Sequence, residues 1–279
     1  MEKVIILTPV FNDWKSVEKL INKLFSHFKK MPKSIEILIV DDCSTTKPTK
    51  KISYYKNSRK LKILRLKKNN GSQKAIFFGL KYLRKIFKKG IIVVMDCDGE
   101  DDYRSLTKMV ELSSKNPDSV ITGNRLKRNE GLFFNILYRT HLFLTYILTG
   151  HYLDFGNYSC FNYKKLKNIL KNNNIYFAYS AGVKKNVKNL ISCYSDRQKR
   201  FFGRSKVSFY FLFKHAINIL TVFKKELFSR SIILLIIIFL MNQILNLIFV
   251  GQIASIIIVI NFVVALNFFF TVKTSYNHH

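Results

Sequence analysis

Acidic residues are scarce. The 279-residue chain has 17 Asp and Glu against 47 Lys and Arg, a formal net charge of +30, and no carboxylate side chain follows Glu226. Cysteine is also sparse. Cys43, Cys97, Cys160 and Cys193 are scattered, and no C-x-x-C pair occurs. This excludes a disulfide framework and a zinc-finger ligand set, and it fits a reduced cytosolic face. No secretory leader is expected, since Met1-Glu2-Lys3 runs directly into an apolar strand pattern. Trp14 is the single tryptophan. From Ser231 to Val272 charge is missing altogether. The excess of cations suits nucleic acid, anionic lipid or phosphorylated substrates. Lys, Asn and Ile are all abundant, so compositional bias accounts for much of it. The 14 Tyr and 25 Phe lie mostly inside apolar runs, where core packing explains them. No nucleic-acid partner is expected.

Against this scarcity, one stretch concentrates carboxylates. Ile91-Ile92-Val93-Val94-Met95 is an apolar, β-branched run too short for a helix, and it leads into Asp96-Cys97-Asp98-Gly99-Glu100-Asp101-Asp102. It reads as a strand buried on both faces, as in a parallel sheet covered by helices. Its acidic end then lies where open α/β sheets place ligands. Packed carboxylates raise one another's pKa unless a cation lies between them. Asp96 and Asp98 suit one Mg²⁺ or Mn²⁺, a hard cation that takes oxygen ligands and shares them with substrate phosphates. A solvated acidic turn is the blander reading, and the buried strand immediately before it argues against that.

The rest of the chain supplies a framework. Strands are expected at Val4–Val10 (ended by Pro9), Ile35–Val40, Leu61–Leu66, Ile91–Met95 and Ser119–Gly123. Helices are expected from Trp14 to Phe28, capped by Asp13, from Gln73 to Phe87 and near Ser105 to Ser113. Gly131 to Leu148 reads as a long apolar helix, and Leu153 to Phe161 as a strand pair or turn. The β-α-β-β-α-β-α-β alternation predicts a three-layer α/β fold with a mostly parallel sheet. About 225 residues remain outside the C-terminal apolar region, enough for a sizeable core.

Phe209 to Phe228 is amphipathic and suits a membrane surface. Ser231–Val250 and Ile253–Val272 each match one bilayer crossing, separated by Gly251-Gln252. Lys224, Lys225 and Arg230 before the pair and Lys273 after it place both flanks on the cytosolic side, with the N-terminal domain. Asn242, Gln243, Asn246, Asn261 and Asn267 are candidates for hydrogen bonds between the two helices or with another subunit.

Six motifs occur in one order: T-P-V-F-N-D at 8–13, I-V-D-D-C-S-T at 39–45, K-N-N-G at 68–71, M-D-C-D at 95–98, G-N-R at 123–125 and R-F-F-G-R-S-K at 200–206. Together they resemble the inverting family 2 glycosyltransferases of GT-A fold, most of all the polyprenyl-phosphate sugar transferases of the dolichyl-phosphate mannose synthase type. The resemblance runs from Val4 to about Phe213 and extends to a C-terminal membrane hairpin. It implies a GT-A domain over 1–208, an amphipathic juxtamembrane helix over 209–228 and a transmembrane hairpin over 231–272.

By the same resemblance, Pro9, Phe11 and Asp13 line the nucleotide pocket. Val40, Asp41 and Asp42 meet base and ribose, although Asp41 and Asp42 equally suit capping of the turn that follows. Asp96 and Asp98 hold the metal on the diphosphate, with Glu100 a third oxygen nearby. Arg125 contacts phosphate or donor sugar. Arg200, Ser205 and Lys206 close over phosphates, where an Arg fork and the close approach allowed by Gly203 are useful.

The implied reaction moves one sugar from a nucleotide-sugar donor to a polyprenyl phosphate on the cytosolic membrane face, the inner membrane in a bacterium. A lipid phosphate needs no strong general base. A saccharide acceptor does, and Asp101 and Asp102 are the nearest carboxylates for it. The family's D-x-D-x-Q-D-P is here D-C-D-G-E-D-D, with Gly99 expected to loosen the loop. The Q-x-x-R-W motif of processive synthases is absent. The rivals are a family 2 transferase acting on a saccharide acceptor and a non-catalytic basic protein of the membrane surface. A homo-oligomer is compatible with the sequence.

Overall fold

The computed structural model describes residues 3–29, 34–57, 60–125, 132–203, 208–245 and 249–276. The elements in chain order are β1 (Lys3–Val10), α1 (Trp14–Phe28), β2 (Ser34–Asp41), α2 (Lys50–Asn57), β3 (Leu61–Arg65), α3 (Ser72–Ile86), β4 (Ile91–Val94), α4 (Leu106–Lys115), β5 (Val120–Arg125), α5 (Leu132–Thr149), β6 (Phe155–Asn162), α6 (Leu166–Ile169), α7 (Tyr179–Asn186), β7 (Leu190–Ser195), α8 (Phe209–Val222), α9 (Lys224–Leu245) and α10 (Val250–Tyr276). The chain divides into two compact units. One comprises residues 1–129 and 154–206, the other residues 130–153 and 207–279.

The first unit is built on a seven-stranded sheet of order β3-β2-β1-β4-β6-β5-β7. Strands β1 to β4 are mutually parallel, β6 runs antiparallel to β4 and β5, and β7 is parallel to β5. The sheet is mixed and mostly parallel, as the alternation predicts. All four residues of β4 and seven of eight in β1 are buried, so both faces are covered and the strands need no polar side. Helix α1 places Val17, Leu20, Ile21, Leu24 and Phe28 in the core at helical spacing.

Several boundaries differ from expectation. Strand β1 runs through Pro9, which pairs with Val40. Pro9 shares strand parity with Leu7, whose carbonyl accepts from Met95 N on the β4 side. The β4 ladder ends at Leu7↔Val94, so the missing proline N–H falls beyond it and removes no ladder bond. Asp13 occupies the N-cap of α1 but makes no side-chain cap bond; its side chain lines a cleft instead. Helices α2, α6 and α7 and strand β7 are additional to the expected elements. From Phe155 onward the 153–161 stretch is a single strand, β6, paired on both sides.

The second unit is helical. The expected amphipathic segment over 209–228 breaks at Phe223, a buried residue whose N–H donates to the carbonyls of Leu220 and Thr221 and whose ring stacks on His151 at 4.3 Å. Helix α9 begins directly after it. Two helical stretches, Lys224–Gln243 and Val250–Thr271, are long and apolar enough to cross a membrane, with mean hydropathies of 1.6 and 2.5. They expose Ile232, Ile236, Phe239, Ile256, Phe262 and Phe269, a surface suited to hydrocarbon rather than water. Asn261 Nδ2 donates to Ser231 Oγ at 2.8 Å, and Asn267 Nδ2 to Thr221 Oγ1 at 2.8 Å. Two of the five expected membrane amides thus join helices. Asn246 lies outside the described residues.

Candidate active site

Because β1, β2 and β4 are adjacent and parallel, their carboxyl ends open side by side. Pro9, Val10, Phe11 and Asp13 come from the first, Asp42 from the second, and Asp96, Cys97 and Asp98 from the third. With Ser72 and Arg200 they line one cleft. Among the described residues, four carboxylates there face a single guanidinium, in a chain that is otherwise strongly basic. The Cys97 thiol registers that field: burial, then the charges of Asp13, Asp98 and Asp96, push its pKa well up.

The loops around the cleft are stitched by polar side chains. Asn12, at φ 55°, accepts through Oδ1 from Thr45 N at 2.8 Å and Thr46 N at 3.0 Å. This ties the loop after β1 to the loop after β2. Asp42 Oδ1 accepts from Asn70 N at 2.8 Å, and Oδ2 from Gly71 N at 2.7 Å. It thereby pins the K-N-N-G turn, where Gly71 takes φ +86°. Burial is the main influence on Asp42 and raises its pKa, opposed by those two backbone donors.

Asp41 does not reach the cleft lining. Its Oδ1 accepts from Ser44 N at 2.8 Å and its Oδ2 lies 3.7 Å from Arg65 Nε, which is the turn-capping alternative. Val40 is fully buried in β2.

The acidic turn is held from three sides. Asp101 Oδ2 accepts from Asp96 N at 2.9 Å. Asp102 accepts from Arg104 N and pairs with its guanidinium. Asn157 Nδ2 donates to Asp96 Oδ1 at 3.2 Å. Asn157 in turn accepts from Gln73 Nε2, and Gln73 Oε1 accepts from Tyr179 N at 2.6 Å. A polar chain from α7 through α3 and β6 therefore orients Asp96. The two carboxylates offered as a general base, Asp101 and Asp102, are both engaged in holding the turn.

Residues 197–201 dock along the far side of that turn. Gln198 N donates to Glu100 O at 2.9 Å, and Phe201 N to Asp98 O at 2.8 Å. Arg197 grips Glu100 Oε2 with Nε at 3.0 Å and Nη2 at 2.5 Å. Arg200 Nη1 donates to Asp98 Oδ2 at 2.8 Å. The Phe201 ring lies on Gly99, where a Cβ would come within 2.5 Å of it. Gly99, at φ +89°, therefore serves close packing rather than a loosened loop. Lys19 Nζ sits over Phe201 and Phe202 at 5.1 and 5.0 Å.

Seven of the sequence-predicted residues thus meet in one cleft: Pro9, Phe11, Asp13, Asp42, Asp96, Asp98 and Arg200. Glu100 is held beside it by Arg197. The backbone of Arg125 lies in β5, and its side chain, like Ser205 and Lys206, falls outside what the structure describes. Sequence reasoning missed Asn157, Gln73 and Arg197, whose side-chain bonds at the site span 61 to 97 positions.

Residues 5–190 match the family model "Glycosyl transferase family 2". The undecaprenyl-phosphate 4-deoxy-4-formamido-L-arabinose transferase of Yersinia pestis (strain Pestoides F) is 26% identical over 162 residues, covering 57% of this chain and 47% of that protein. The dodecaprenyl-phosphate galacturonate synthase of Rhizobium johnstonii is 27% identical over 130 residues, covering 46% and 37%. The chain thus spans about half the length, or less, of the curated relatives it matches.

Among solved structures, S. aureus TarS 1–349 superposes with a TM-score of 0.51 at 15% identity, covering 82% of this chain and 68% of that one. The mannosyl-3-phosphoglycerate synthase from Rubrobacter xylanophilus gives 0.54 at 13%, covering 82% and 75%. At such identities these likenesses speak for the GT-A fold alone. The family match spans well over half the chain and carries the acidic turn and the strands that present it, so the chain belongs to glycosyl transferase family 2.

Proposed function

We propose that the chain transfers a single sugar, with inversion, from a nucleotide-sugar donor to a polyprenyl phosphate at the cytosolic face of a membrane that α9 and α10 cross. The observation that carries this reading is the convergence of Asp96, Asp98 and Arg200 on one cleft at the carboxyl ends of β1, β2 and β4. The names of the relatives, which are polyprenyl-phosphate sugar transferases and synthases, support the acceptor class. The two long apolar helices support the membrane.

The donor set fits Mg²⁺ or Mn²⁺. Asp96 and Asp98 offer hard oxygen ligands two residues apart, and Asn157 orients the first of them. Among the described residues no group of three His, Cys, Asp or Glu is arranged to hold a metal. Glu100, the expected third oxygen, is occupied by Arg197. The proposal therefore places the ion on Asp96 and Asp98, with the diphosphate completing its shell, as is usual for Mg²⁺. When bound, the ion neutralises charge developing on the leaving diphosphate.

The protein's own residues do the rest. Pro9 and Phe11 form the apolar wall for the nucleotide. Arg200 brings a guanidinium fork to phosphate oxygens. Ser205, Lys206 and Arg125 are assigned to phosphate and donor sugar by their motif positions. Asp42 shapes the base and ribose side, and Asp41 caps the turn behind it. A lipid phosphate arrives as an anion, so the engagement of Asp101 and Asp102 in holding the turn costs this reaction nothing.

The test is product chemistry. The full chain in vesicles containing polyprenyl phosphate is given radiolabelled nucleotide sugars and Mg²⁺ or Mn²⁺. Label should enter the organic phase, depend on added polyprenyl phosphate, and be released by mild acid as expected of a glycosyl phosphate. Label found only on an acid-resistant saccharide would overturn the acceptor assignment.

A further inference from the structure

Both oxygens of Asp98 already have donors. Oδ1 accepts from Glu100 N at 3.0 Å, and Oδ2 accepts from Arg200 Nη1 at 2.8 Å. A cation arriving at Asp98 thus meets a positive charge already seated there. The seat is firm at its base. Phe201 N and Gln198 N hold the backbone to the turn, and the Arg197 fork on Glu100 anchors the segment independently of Asp98. The Arg200 head group is not fully satisfied. Its Nε is buried and has no hydrogen-bond partner among the described residues. A buried guanidinium N–H without an acceptor is costly in this one arrangement, and Arg200 borders the cleft where a diphosphate would supply acceptors.

We propose that Arg200 is the resident counter-cation of Asp98 and changes partner when donor and metal bind together. Its guanidinium leaves Asp98 for the diphosphate while Arg197 keeps the backbone in place. This rests on the nucleotide-sugar reading above.

The exchange makes metal and nucleotide mutually dependent. Metal alone must displace Arg200 from Asp98 with no anion to receive it. Nucleotide alone brings phosphates to a cleft lined by four carboxylates. Bound together, the metal takes Asp98 and the diphosphate takes Arg200. Coupling of this kind is reciprocal: each ligand raises the affinity of the other by the same factor. Arg197 acts as a positioning residue, since it touches neither partner of the exchange.

The measurement is Mn²⁺ binding by the full chain in detergent micelles, read from the free-ion electron paramagnetic resonance signal, without nucleotide and with UDP or GDP. The wild-type chain should bind Mn²⁺ weakly alone and more tightly with one of the nucleotides. Arg200→Gln should tighten Mn²⁺ binding without nucleotide by roughly tenfold, the scale of one hydrogen bond to a charged group, and should reduce the enhancement by nucleotide. Arg200→Lys keeps a cation at Asp98, so its affinity for Mn²⁺ alone should stay near wild type.

Unchanged or weaker Mn²⁺ binding in Arg200→Gln, with the nucleotide enhancement intact, overturns the exchange and leaves the functional reading standing. A wild-type chain that takes up no Mn²⁺ with either nucleotide overturns both.

Discussion

Asp98→Asn should lower sugar transfer by roughly 10²–10³-fold, the usual loss when one preorganised electrostatic group is removed from a reacting centre. The fold should survive. An asparagine keeps Oδ1 as acceptor for Glu100 N, and the turn is held independently by Asp101 on Asp96 N and by Gln198 N on Glu100 O. Arg200 loses its charged partner, since the amide NH2 replaces Oδ2, but it keeps Glu100 Oε1 at 3.9 Å. Steady-state transfer assays beside thermal melting of the same preparation separate the two effects. An active Asp98→Asn chain, or wild-type activity that survives excess chelator, would remove the metal from the account.

Gly99→Ala should cost activity through packing rather than charge. The residue sits at φ +89°, and a Cβ there meets three carbons of the Phe201 ring at 2.5–2.6 Å. An alanine in a left-handed conformation costs about 1–2 kcal/mol before any contact is counted. The flexible partner in the clash is the Phe201 side chain, on a segment attached by two backbone hydrogen bonds and three ion pairs. That segment should move and carry Arg200 out of register. Turnover is expected to fall roughly 10²-fold, as for the loss of one electrostatic donor, with only a modest loss in melting temperature. Adding Phe201→Ala should restore part of the activity, because it removes the ring that the new methyl strikes. A double-mutant cycle reads the coupling. Additive losses would mean that Gly99 and Phe201 act separately and that ring contact is not the cause.

Much of this site was legible because its chemistry is local in sequence. Asp96 and Asp98 stand at the end of a four-residue strand that is completely buried. Carboxylates that follow such a strand directly lie at the carboxyl end of the sheet, where a ligand can reach them. Arg200 was identified by the spacing of its motif. The supporting residues were not legible. Asn157 reaches Asp96 across 61 positions and Arg197 reaches Glu100 across 97. The antiparallel insertion of β6 between β4 and β5 creates the first contact, and no local pattern announces that pairing. The same limit hid β7, a partly exposed edge strand, and α2, whose Lys-rich sequence buries Ile52 fully and little else among its described side chains. Helix α7 escaped because its small residues serve contact: a Cβ at Gly182 would meet the Ile175 backbone N at 2.5 Å. Asp13 and Pro9 show where local rules yield to context. Position makes Asp13 a cap, yet its side chain lines the cleft. Residue type makes Pro9 a strand end, yet it sits inside the strand, where the ladder no longer needs its N–H.

The central claim is that the acidic turn and Arg200 together form a metal-dependent nucleotide diphosphate site. Calorimetric titration of the detergent-solubilised chain with UDP and with GDP, each with and without Mn²⁺, tests it most directly. The account predicts that one of the two nucleotides binds, that binding requires Mn²⁺, and that Asp98→Asn abolishes the requirement along with the tight binding. Nucleotide binding that is indifferent both to Mn²⁺ and to Asp98→Asn would contradict it.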